Sequence, residues 1–118
     1  MESVFALTFN GKSHKKYNFY VVAEVCQSES FDASCEANHV ILIGSAHYGR
    51  MRKGRCIRGL YGGMNCFVDV TSYLDERCSG RQSCSVYGAD AQLATLNQCP
   101  SDLMPYLEVA HTCVQGKL

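Results

Sequence analysis

The sequence predicts an α+β fold, in which about five antiparallel β-strands and two short helices form a small domain held together by disulfides. The chain has only 118 residues, of which eight are cysteine, and a core of this size usually needs cross-links. Apolar, β-rich runs alternate with short helical patterns in an order too irregular for repeated βαβ units, which favours antiparallel pairing. We therefore expect one domain over residues 1–118.

The cysteines are spread along the chain, and no two of them form a C-x-x-C pair. Zinc ribbons and redox motifs need thiolates separated by two residues, so this spacing indicates a disulfide framework. Disulfides in turn indicate the extracellular space or the secretory lumen. Reduced, buried thiols in a cytosolic protein are the alternative. The eight positions are Cys26, Cys35, Cys56, Cys66, Cys78, Cys84, Cys99 and Cys113.

Three strands are predicted in the N-terminal half. VFALTF (residues 4–9) and YNFYVVAEV (residues 17–25) flank Asn10-Gly11, the strongest short signal for a hairpin. HVILI (residues 39–43) is uniformly apolar, which predicts a strand buried on both faces. The glycine-rich stretch from residue 49 to residue 63 is expected to be loop, with at most one short strand.

Two helices and two further strands are predicted in the C-terminal half. DVTSYLDERCSG offers Asp69, Thr71 and Ser72 as N-cap candidates, and Gly80 as the stop of a helix of about two turns. SCSVYGA predicts a strand, and ADAQLATLNQ predicts a second short helix capped by Asp90. The alternating YLEVAHTCV predicts the final strand.

Charge and hydropathy argue against two classes of partner. Lys plus Arg and Asp plus Glu number 11 each, so no net charge attracts nucleic acid or an anionic membrane. No apolar run approaches the roughly 20 residues of a membrane span. MESVFALTF lacks the basic region of a signal peptide. We expect that a leader has been removed, or that the chain is a piece of a larger secreted or membrane-anchored protein.

Catalytic and cofactor motifs are absent, so we predict neither an enzyme nor a cofactor. The sequence has no G-x-S-x-G, H-E-x-x-H, P-loop or dinucleotide fingerprint. Ser45 lies near His47, but no third residue is positioned to complete a catalytic triad with them. His14, His39, His47 and His111 lack the i, i+4 spacing of a helical metal pair, so no metal site is predicted. We expect His111, on the last strand, to be structural.

Four segments together resemble the galactose- and rhamnose-binding lectin family, also called the sea-urchin-egg-lectin (SUEL) type. They are the C-x8-C opening at Cys26 and Cys35, AHYGR (residues 46–50), ERCSGRQSCSV (residues 76–86) and YLEVAHTC (residues 106–113). The resemblance covers about residues 20–115, with residues 1–19 as an extra N-terminal hairpin strand. It implies a rhamnose-binding-lectin-like fold that recognises a glycan or a cell-surface glycoprotein without catalysis.

The resemblance also implies a disulfide pairing, which spacing alone could not select from 105 connectivities. The bridge that closes most of the chain would contribute on the order of 4 kcal/mol through loop entropy. The implied pairs are Cys26–Cys56, Cys35–Cys113, Cys66–Cys99 and Cys78–Cys84.

By resemblance, Tyr48, Gly49 and Arg50 lie at the sugar pocket or support it, so we expect HVILI to end where a binding loop begins. A tyrosine ring offers an apolar face to the C–H side of a sugar, Gly49 permits a close approach, and Arg50 can hold carbonyls or a carboxylate in a fixed fork. The alternative is that Tyr48 and Arg50 merely brace the turn.

Three charged positions of sugar-binding family members are replaced by neutral residues here. They hold Gln27, Asn97 with Gln98, and Met104 with Pro105, the last beside an apparent one-residue insertion. Amides still bind hydroxyls, but charge-assisted bonds are roughly twice as strong, so a weaker or retuned site is expected. His47, before the tyrosine, could bond a hydroxyl, narrow the pocket or be an ordinary surface residue.

A basic run beside the expected pocket contains Arg50, Arg52, Lys53, Arg55 and Arg58. Arg52, Lys53 and Arg55 are candidates for contacting a sulfated or sialylated glycan or an acidic protein, and the alternative is a solvated loop. Two functions therefore stay open. One is an extracellular carbohydrate-binding domain with a diverged galactose or rhamnose site. The other is a protein adhesion or assembly module that keeps the scaffold and has lost sugar binding.

Overall fold

The computed structural model describes residues 4–9, 12–17, 19–57 and 65–116, the first two ranges as backbone alone. All strand pairings in these ranges are antiparallel, which confirms the predicted α+β class. Within the same ranges, a helix able to span a bilayer is not found. The elements are β1 (Val4–Phe9), β2 (Lys12–Tyr17), β3 (Val21–Val25), β4 (Ser30–Ser34), β5 (His39–Arg50), β6 (Cys66–Asp69), α1 (Thr71–Cys78), β7 (Ser83–Tyr87), α2 (Ala91–Leu96) and β8 (Tyr106–Gln115).

A four-stranded sheet in the order β3-β8-β5-β6 forms the centre, and β4 pairs with β7 in a separate ribbon. The pairing of β5 with β8 is interrupted between Ile43 and Ser45, where Gly44 forms a bulge. A β-carbon on Gly44 would lie 2.7 Å from the Tyr20 ring. The missing side chain therefore lets Tyr20 pack against the bulge.

The bulge at Gly44 decides which AHYGR side chains point into the molecule. Side chains alternate between the faces of a strand, and Ile41 and Ile43 occupy the buried inner face. One extra residue shifts this alternation, so that Ala46 and Tyr48 continue the inner face, and both are fully buried. The inward direction of Tyr48 thus depends on a glycine four residues earlier.

The core lies between the inner face of the central sheet, the two helices and the β4–β7 ribbon. Leu74 on α1, Val86 on β7, Leu93 on α2 and Val109 on β8 are all completely buried within it. Burial of one such side chain contributes about 1.5–3 kcal/mol. These four elements therefore pack into one hydrophobic cluster, and a second, smaller cluster of Met51, Ile57 and Tyr106 packs against Cys56.

Helix α1 lies where the sequence predicts it, but it is capped differently. The N-cap residue is Val70, whose side chain makes no capping bond, so the choice of Asp69, Thr71 or Ser72 was wrong. Asp69 belongs to β6, although its Oδ1 accepts the Thr71 N–H bond at 2.8 Å. The Thr71 hydroxyl is used elsewhere, since it accepts the N–H of Ala46 on β5 at 2.9 Å.

The other two helix signals are confirmed. Gly80 follows the end of α1 with a φ of +85°, a left-handed conformation that favours glycine after a helix. Asp90 caps α2, because its carboxylate accepts the Leu93 N–H bond at 3.0 Å. Both helices therefore begin and end within about two residues of their expected positions.

The strands depart from the prediction in three ways. The partner of β1 is Lys12–Tyr17, whereas Val21–Val25 pairs with β8; the predicted Asn10-Gly11 turn lies outside the described residues. β5 does not end after residue 43, because β6 and β8 both pair with AHYGR. AHYGR is therefore strand and not a binding loop. The strands β4 and β6 were not predicted, since both are short and polar residues interrupt them.

The prediction that HVILI is buried on both faces is also only partly correct. Ile41 and Ile43 are buried, but Leu42 on the outer face is 37% exposed. The outer face of the sheet is not covered by a helix layer in the described residues, so an apolar run here does not require burial of every side chain.

Four disulfides join the same pairs that the family resemblance implies, and no cysteine in the described residues is free. Cys35–Cys113 ties the segment after β4 to the last strand. Two other bridges hold segments that surround the candidate site. Cys26–Cys56 fastens the turn after β3, and Cys66–Cys99 fastens the segment after α2 to β6.

Candidate functional site

Two neighbouring cavities lie at the end of the domain where β3, β5 and the segment after α2 meet. The smaller has a volume of about 290 Å³ and the larger about 690 Å³, and both are lined by Gln27 and Met104. Three residues predicted for a sugar pocket line the smaller cavity together, namely Gln27, Tyr48 and Asn97. The remaining lining residues of the smaller cavity are Ala94, Ser101, Asp102, Leu103, Met104 and Pro105.

Tyr48 forms the floor of the smaller cavity and does not offer an open ring for stacking. Its side chain is completely buried, and its hydroxyl donates a hydrogen bond to the Gly88 carbonyl at 3.1 Å. Burial, with a smaller effect from the nearby Asp90 carboxylate, raises the pKa of Tyr48, so the hydroxyl stays protonated. This geometry favours a bracing role for Tyr48 over a flat platform for a sugar.

Gly88 is a residue that sequence reasoning missed. A β-carbon on Gly88 would lie 2.2 Å from the Cys26 carbonyl oxygen and 3.1 Å from Gln27 Cα. Only glycine therefore lets the end of β7 approach the turn that carries Gln27. The available signal was a glycine directly after the predicted strand SCSVY.

Arg50 holds the segment that forms the opposite side of the cavity. Arg50 is 4% exposed, and its Nη1 donates to the Met104 carbonyl at 2.8 Å. Arg50 was expected to hold carbonyl groups, and the carbonyl that it binds belongs to the protein's own backbone. Nε of Arg50 is buried without a hydrogen-bond partner in the described residues. The guanidinium is thus an internal support and not a surface charge.

Gly49 serves the packing of the sheet. Its φ is +146°, and a β-carbon there would lie 2.2 Å from the Cys66 carbonyl oxygen and 2.6 Å from Phe67 Cα. The close approach that glycine permits is therefore that of β6 and not of a ligand.

His47 lies outside the cavity. It precedes Tyr48 on β5 and points to the outer face of the sheet, opposite Asp69 on β6 and Glu108 on β8. Its ring packs edge-on against Phe67 with 5.5 Å between centroids. The structure therefore does not bring His47 together with Gln27 and Asn97, because neighbouring strand residues face opposite sides.

Polar groups enter the smaller cavity from two sides. Asn97 Oδ1 accepts the Cys99 N–H bond at 3.0 Å, which fixes the amide and leaves its NH₂ as a donor. The Gln27 side chain makes no hydrogen bond with any residue that the structure describes. Asp102, an acidic residue in the segment with the apparent insertion, also lines the cavity.

One acidic residue, Asp102, lines the cavity although the three positions where family members carry charges are neutral here. The sequence comparison by position found no charge where family members carry one, yet Asp102 reaches the same cavity from the 101–105 segment. A carboxylate accepts charge-assisted hydrogen bonds from hydroxyl groups, which are stronger than those of an amide. The signal in the sequence was the acid beside the inserted residue.

The basic run is largely neutralised by acidic neighbours. Arg55 binds Glu29 in a bidentate pair at 2.6 and 2.8 Å, and this contact lowers the pKa of Glu29 to about 2. Arg52 pairs with Glu108. Lys53 is exposed and has no ion pair among the described residues, and Arg58 lies outside them. Arg52, Lys53 and Arg55 therefore do not form a free cationic surface.

The arrangement offers hydrogen-bond donors and acceptors in a preformed cavity with an aromatic floor. Clusters of three or more His, Cys, Asp and Glu side chains suited to a metal ion are not found in the described ranges. Hydroxyl-rich ligands are the class that amides and a carboxylate in such a cavity bind best.

Comparison with known proteins finds one family model and several relatives that match the chain. The family model of the D-galactoside/L-rhamnose binding SUEL lectin domain matches residues 33–113, which is more than half of the chain. Latrophilin Cirl of Drosophila ananassae and that of Drosophila mojavensis are each 30% identical to the chain over 100 residues, covering 82% of this chain and 6% of the relative. The chain thus spans a small part of these relatives. From the matched residues and the relatives together, the chain belongs to the D-galactoside/L-rhamnose binding SUEL lectin domain family.

Proposed function

We propose that this chain is an extracellular carbohydrate-recognition domain whose smaller cavity binds the hydroxyl groups of one galactose-like or rhamnose-like residue. The family is one of carbohydrate-binding, non-enzymatic domains. The observation that carries the proposal is the convergence of Gln27, Asn97 and Asp102 on one cavity above Tyr48. Two separate segments of the chain, the turn after β3 and the connection between α2 and β8, supply these polar groups.

Each polar group has a distinct part in the proposed contact. The Asn97 NH₂ donates, Gln27 both donates and accepts, and Asp102 accepts a charge-assisted bond. Tyr48 closes the floor, because its hydroxyl is held by Gly88. The cavity needs little rearrangement on binding, since Arg50 and two disulfides fix its walls, and this preorganisation lowers the entropy cost of association.

The affinity for a simple sugar should be low. Millimolar binding corresponds to about 4 kcal/mol, which a few hydrogen bonds of about 1 kcal/mol each can supply together with one charged acceptor. A cavity of about 290 Å³ lies at the lower limit of ligand pockets. We therefore expect a weak contact that gains strength through multiple copies or a larger ligand.

The family and the four disulfides support a place outside the cell or in the secretory lumen. The two latrophilin relatives are much longer than this chain. We therefore propose that the domain belongs to a larger secreted or membrane-anchored protein, where it contacts a glycan or cell-surface glycoprotein.

A protein adhesion module is the second candidate, and one observation favours it. The outer face of the sheet and the segment before it expose Phe19, Val22, Leu42 and Phe67 by 37–58%. Exposed apolar groups of this size are common at protein contacts. Binding of a protein on this face would leave the cavity unoccupied. The two candidate functions can therefore be distinguished by which surface contacts the ligand.

Sugar titration by NMR tests the proposal. We expect rhamnose or galactose at millimolar concentration to shift resonances in the wild type, and Asp102→Asn to weaken the binding severalfold, because a charged acceptor becomes neutral. Asp75→Asn is the matched control, since Asp75 is exposed on α1 away from the cavity. A wild type that responds to neither sugar, or equal effects of the two substitutions, would contradict the proposed site.

A further inference from the structure

We propose that the larger cavity is a second subsite, which holds the next residue of a neutral glycan whose terminal residue occupies the smaller cavity. This inference rests on the proposed function. It concerns the size and charge of the ligand, which the family assignment leaves open. The preferred ligand would then be at least a disaccharide.

The two cavities are neighbours that share two lining residues. Gln27 and Met104 line both, and Met104 is 59% exposed between them. The larger cavity, of about 690 Å³, falls well inside the range of known ligand sites, whereas the smaller lies at its lower limit. A ligand seated in the smaller cavity would therefore extend directly over Met104 into the larger.

The lining of the larger cavity suits the apolar face of a sugar ring. The Cys26–Cys56 disulfide, Ala89 and Met104 supply its apolar surface, and methionine adapts to irregular shapes. Ser28 and the Gln27 amide supply hydroxyl and amide groups at the edge. A pyranose has C–H faces and hydroxyl edges, so this combination of surfaces matches it.

The charge at this cavity favours a neutral ligand. Among the described residues of the lining, Arg55 is the cation, but Glu29 binds its guanidinium at two nitrogens, and the Glu24 carbonyl accepts a further bond. A sulfate or carboxylate would have to displace Glu29, whose pKa of about 2 reflects the Arg55 contact. The pair sums to zero charge, so an anionic sugar gains little there.

Two substitutions that fill one cavity each test the subsite. Ala89 lines only the larger cavity and Ala94 only the smaller, and both are exposed, so phenylalanine at either position is tolerated by the fold. Calorimetric or NMR titration would compare galactose with lactose and rhamnose with rutinose. We expect either lactose or rutinose to bind the wild type about tenfold more tightly than its terminal monosaccharide, a difference of about 1.4 kcal/mol.

Ala89→Phe should reduce the disaccharide affinity to the monosaccharide level and leave the monosaccharide unchanged, whereas Ala94→Phe should remove both. Ser28→Phe serves as a second blocking variant if Ala89→Phe loses its folded NMR spectrum. Equal wild-type affinities for monosaccharide and disaccharide, or a disaccharide advantage that persists in the blocking variants, would overturn the subsite and leave the proposed function intact. Absence of binding by every sugar overturns both.

Titration with a sulfated sugar tests whether the preferred ligand is neutral. We expect the wild type to bind galactose 6-sulfate no more tightly than galactose, and Glu29→Gln to gain affinity for the sulfated sugar with a strong salt dependence, because Arg55 loses its partner. A wild type that binds galactose 6-sulfate more tightly than galactose would overturn the assignment of a neutral ligand.

Discussion

The two sides of the smaller cavity differ in nearly every physical property, although they face the same space. The strand side carries Tyr48 and Arg50, both at least 96% buried. Tyr48 is bonded to the Gly88 carbonyl, and Arg50 reaches across to the Met104 carbonyl of the loop side. The loop side consists of Asn97 and residues 101–105, where Ser101, Asp102 and Met104 are exposed. The comparison indicates that AHYGR, one of the four segments that carry the family resemblance, provides the buried wall of the cavity, while the 101–105 segment, which departs from the family at Met104 and Pro105, is its exposed wall.

Removal of the Tyr48 side chain should have the largest effect on stability. Tyr48→Ala leaves a large cavity in the core and should lower the free energy of unfolding by about 3–5 kcal/mol. Tyr48→Phe keeps the ring and loses the Gly88 bond, which should cost about 1 kcal/mol. Urea unfolding measures both. A loss in Tyr48→Ala no larger than in Tyr48→Phe would show that the ring is not part of the core.

Closing the gap at Gly88 should have the second largest effect. Gly88→Ala places a β-carbon 2.2 Å from the Cys26 carbonyl, and the overpacking should cost about 1–3 kcal/mol. The matched control is Gly54→Ala, whose β-carbon would first meet the Glu24 carboxylate, at 3.6 Å, among the described residues that are not its chain neighbours. Thermal unfolding of the two variants should separate them clearly. Equal melting temperatures would contradict the close approach of β7 to the Gln27 turn.

The half-buried His111 on β8 predicts a smaller, pH-dependent effect on stability. Burial lowers the pKa of His111 below 6.5, and the ring packs edge-on against Phe31 at 5.1 Å. The unfolded chain therefore binds a proton at a higher pH than the folded protein, so stability is full above about pH 6.5 and falls as the pH drops toward the folded-state pKa.

Melting temperatures of wild type and His111→Phe between pH 5 and pH 8 test this effect. The variant keeps an aromatic ring at the same site and cannot titrate, so its melting temperature should fall less on acidification. Parallel profiles for the two proteins would show that His111 does not carry the pH dependence.

The smallest effect on stability is expected on the loop side. Asp102→Asn changes an exposed side chain without a hydrogen-bond partner among the described residues, so its free energy of unfolding should stay within about 0.5 kcal/mol of the wild type. Sugar affinity should fall in the same variant. A marked loss of stability would mean that Asp102 supports the fold, and the contrast between the two sides would then be wrong.

Some of this contrast could be predicted from the sequence. The motif segments gave the fold class, both helices and the last strand, because periodicity and capping are local signals. The convergence of Gln27, Tyr48 and Asn97 was implied by the family resemblance. The inward direction of the Tyr48 side chain could not be predicted from the sequence, because it depends on the bulge at Gly44.

Long-range pairing explains most of the errors. The run HVILI gave no sign that β6 and β8 would extend the strand through AHYGR, because hydrogen-bond partners on other strands decide where a strand ends. The ion pairs of Arg52 and Arg55 join residues 56 and 26 positions apart, so the basic run looked free in the sequence. Asp102 was missed because it lies at none of the positions where family members carry a charge, although the resemblance placed its neighbours Met104 and Pro105 at the site.

Chemical-shift mapping of the ¹⁵N-labelled domain tests the central claim most directly, namely that the polar side of the smaller cavity binds sugar. Addition of rhamnose or galactose should shift the side-chain amides of Gln27 and Asn97 and the backbone amide of Asp102, while the amides of Val22 and Phe67 on the outer face stay unchanged. Shifts confined to the outer face, or none at all, would contradict the account.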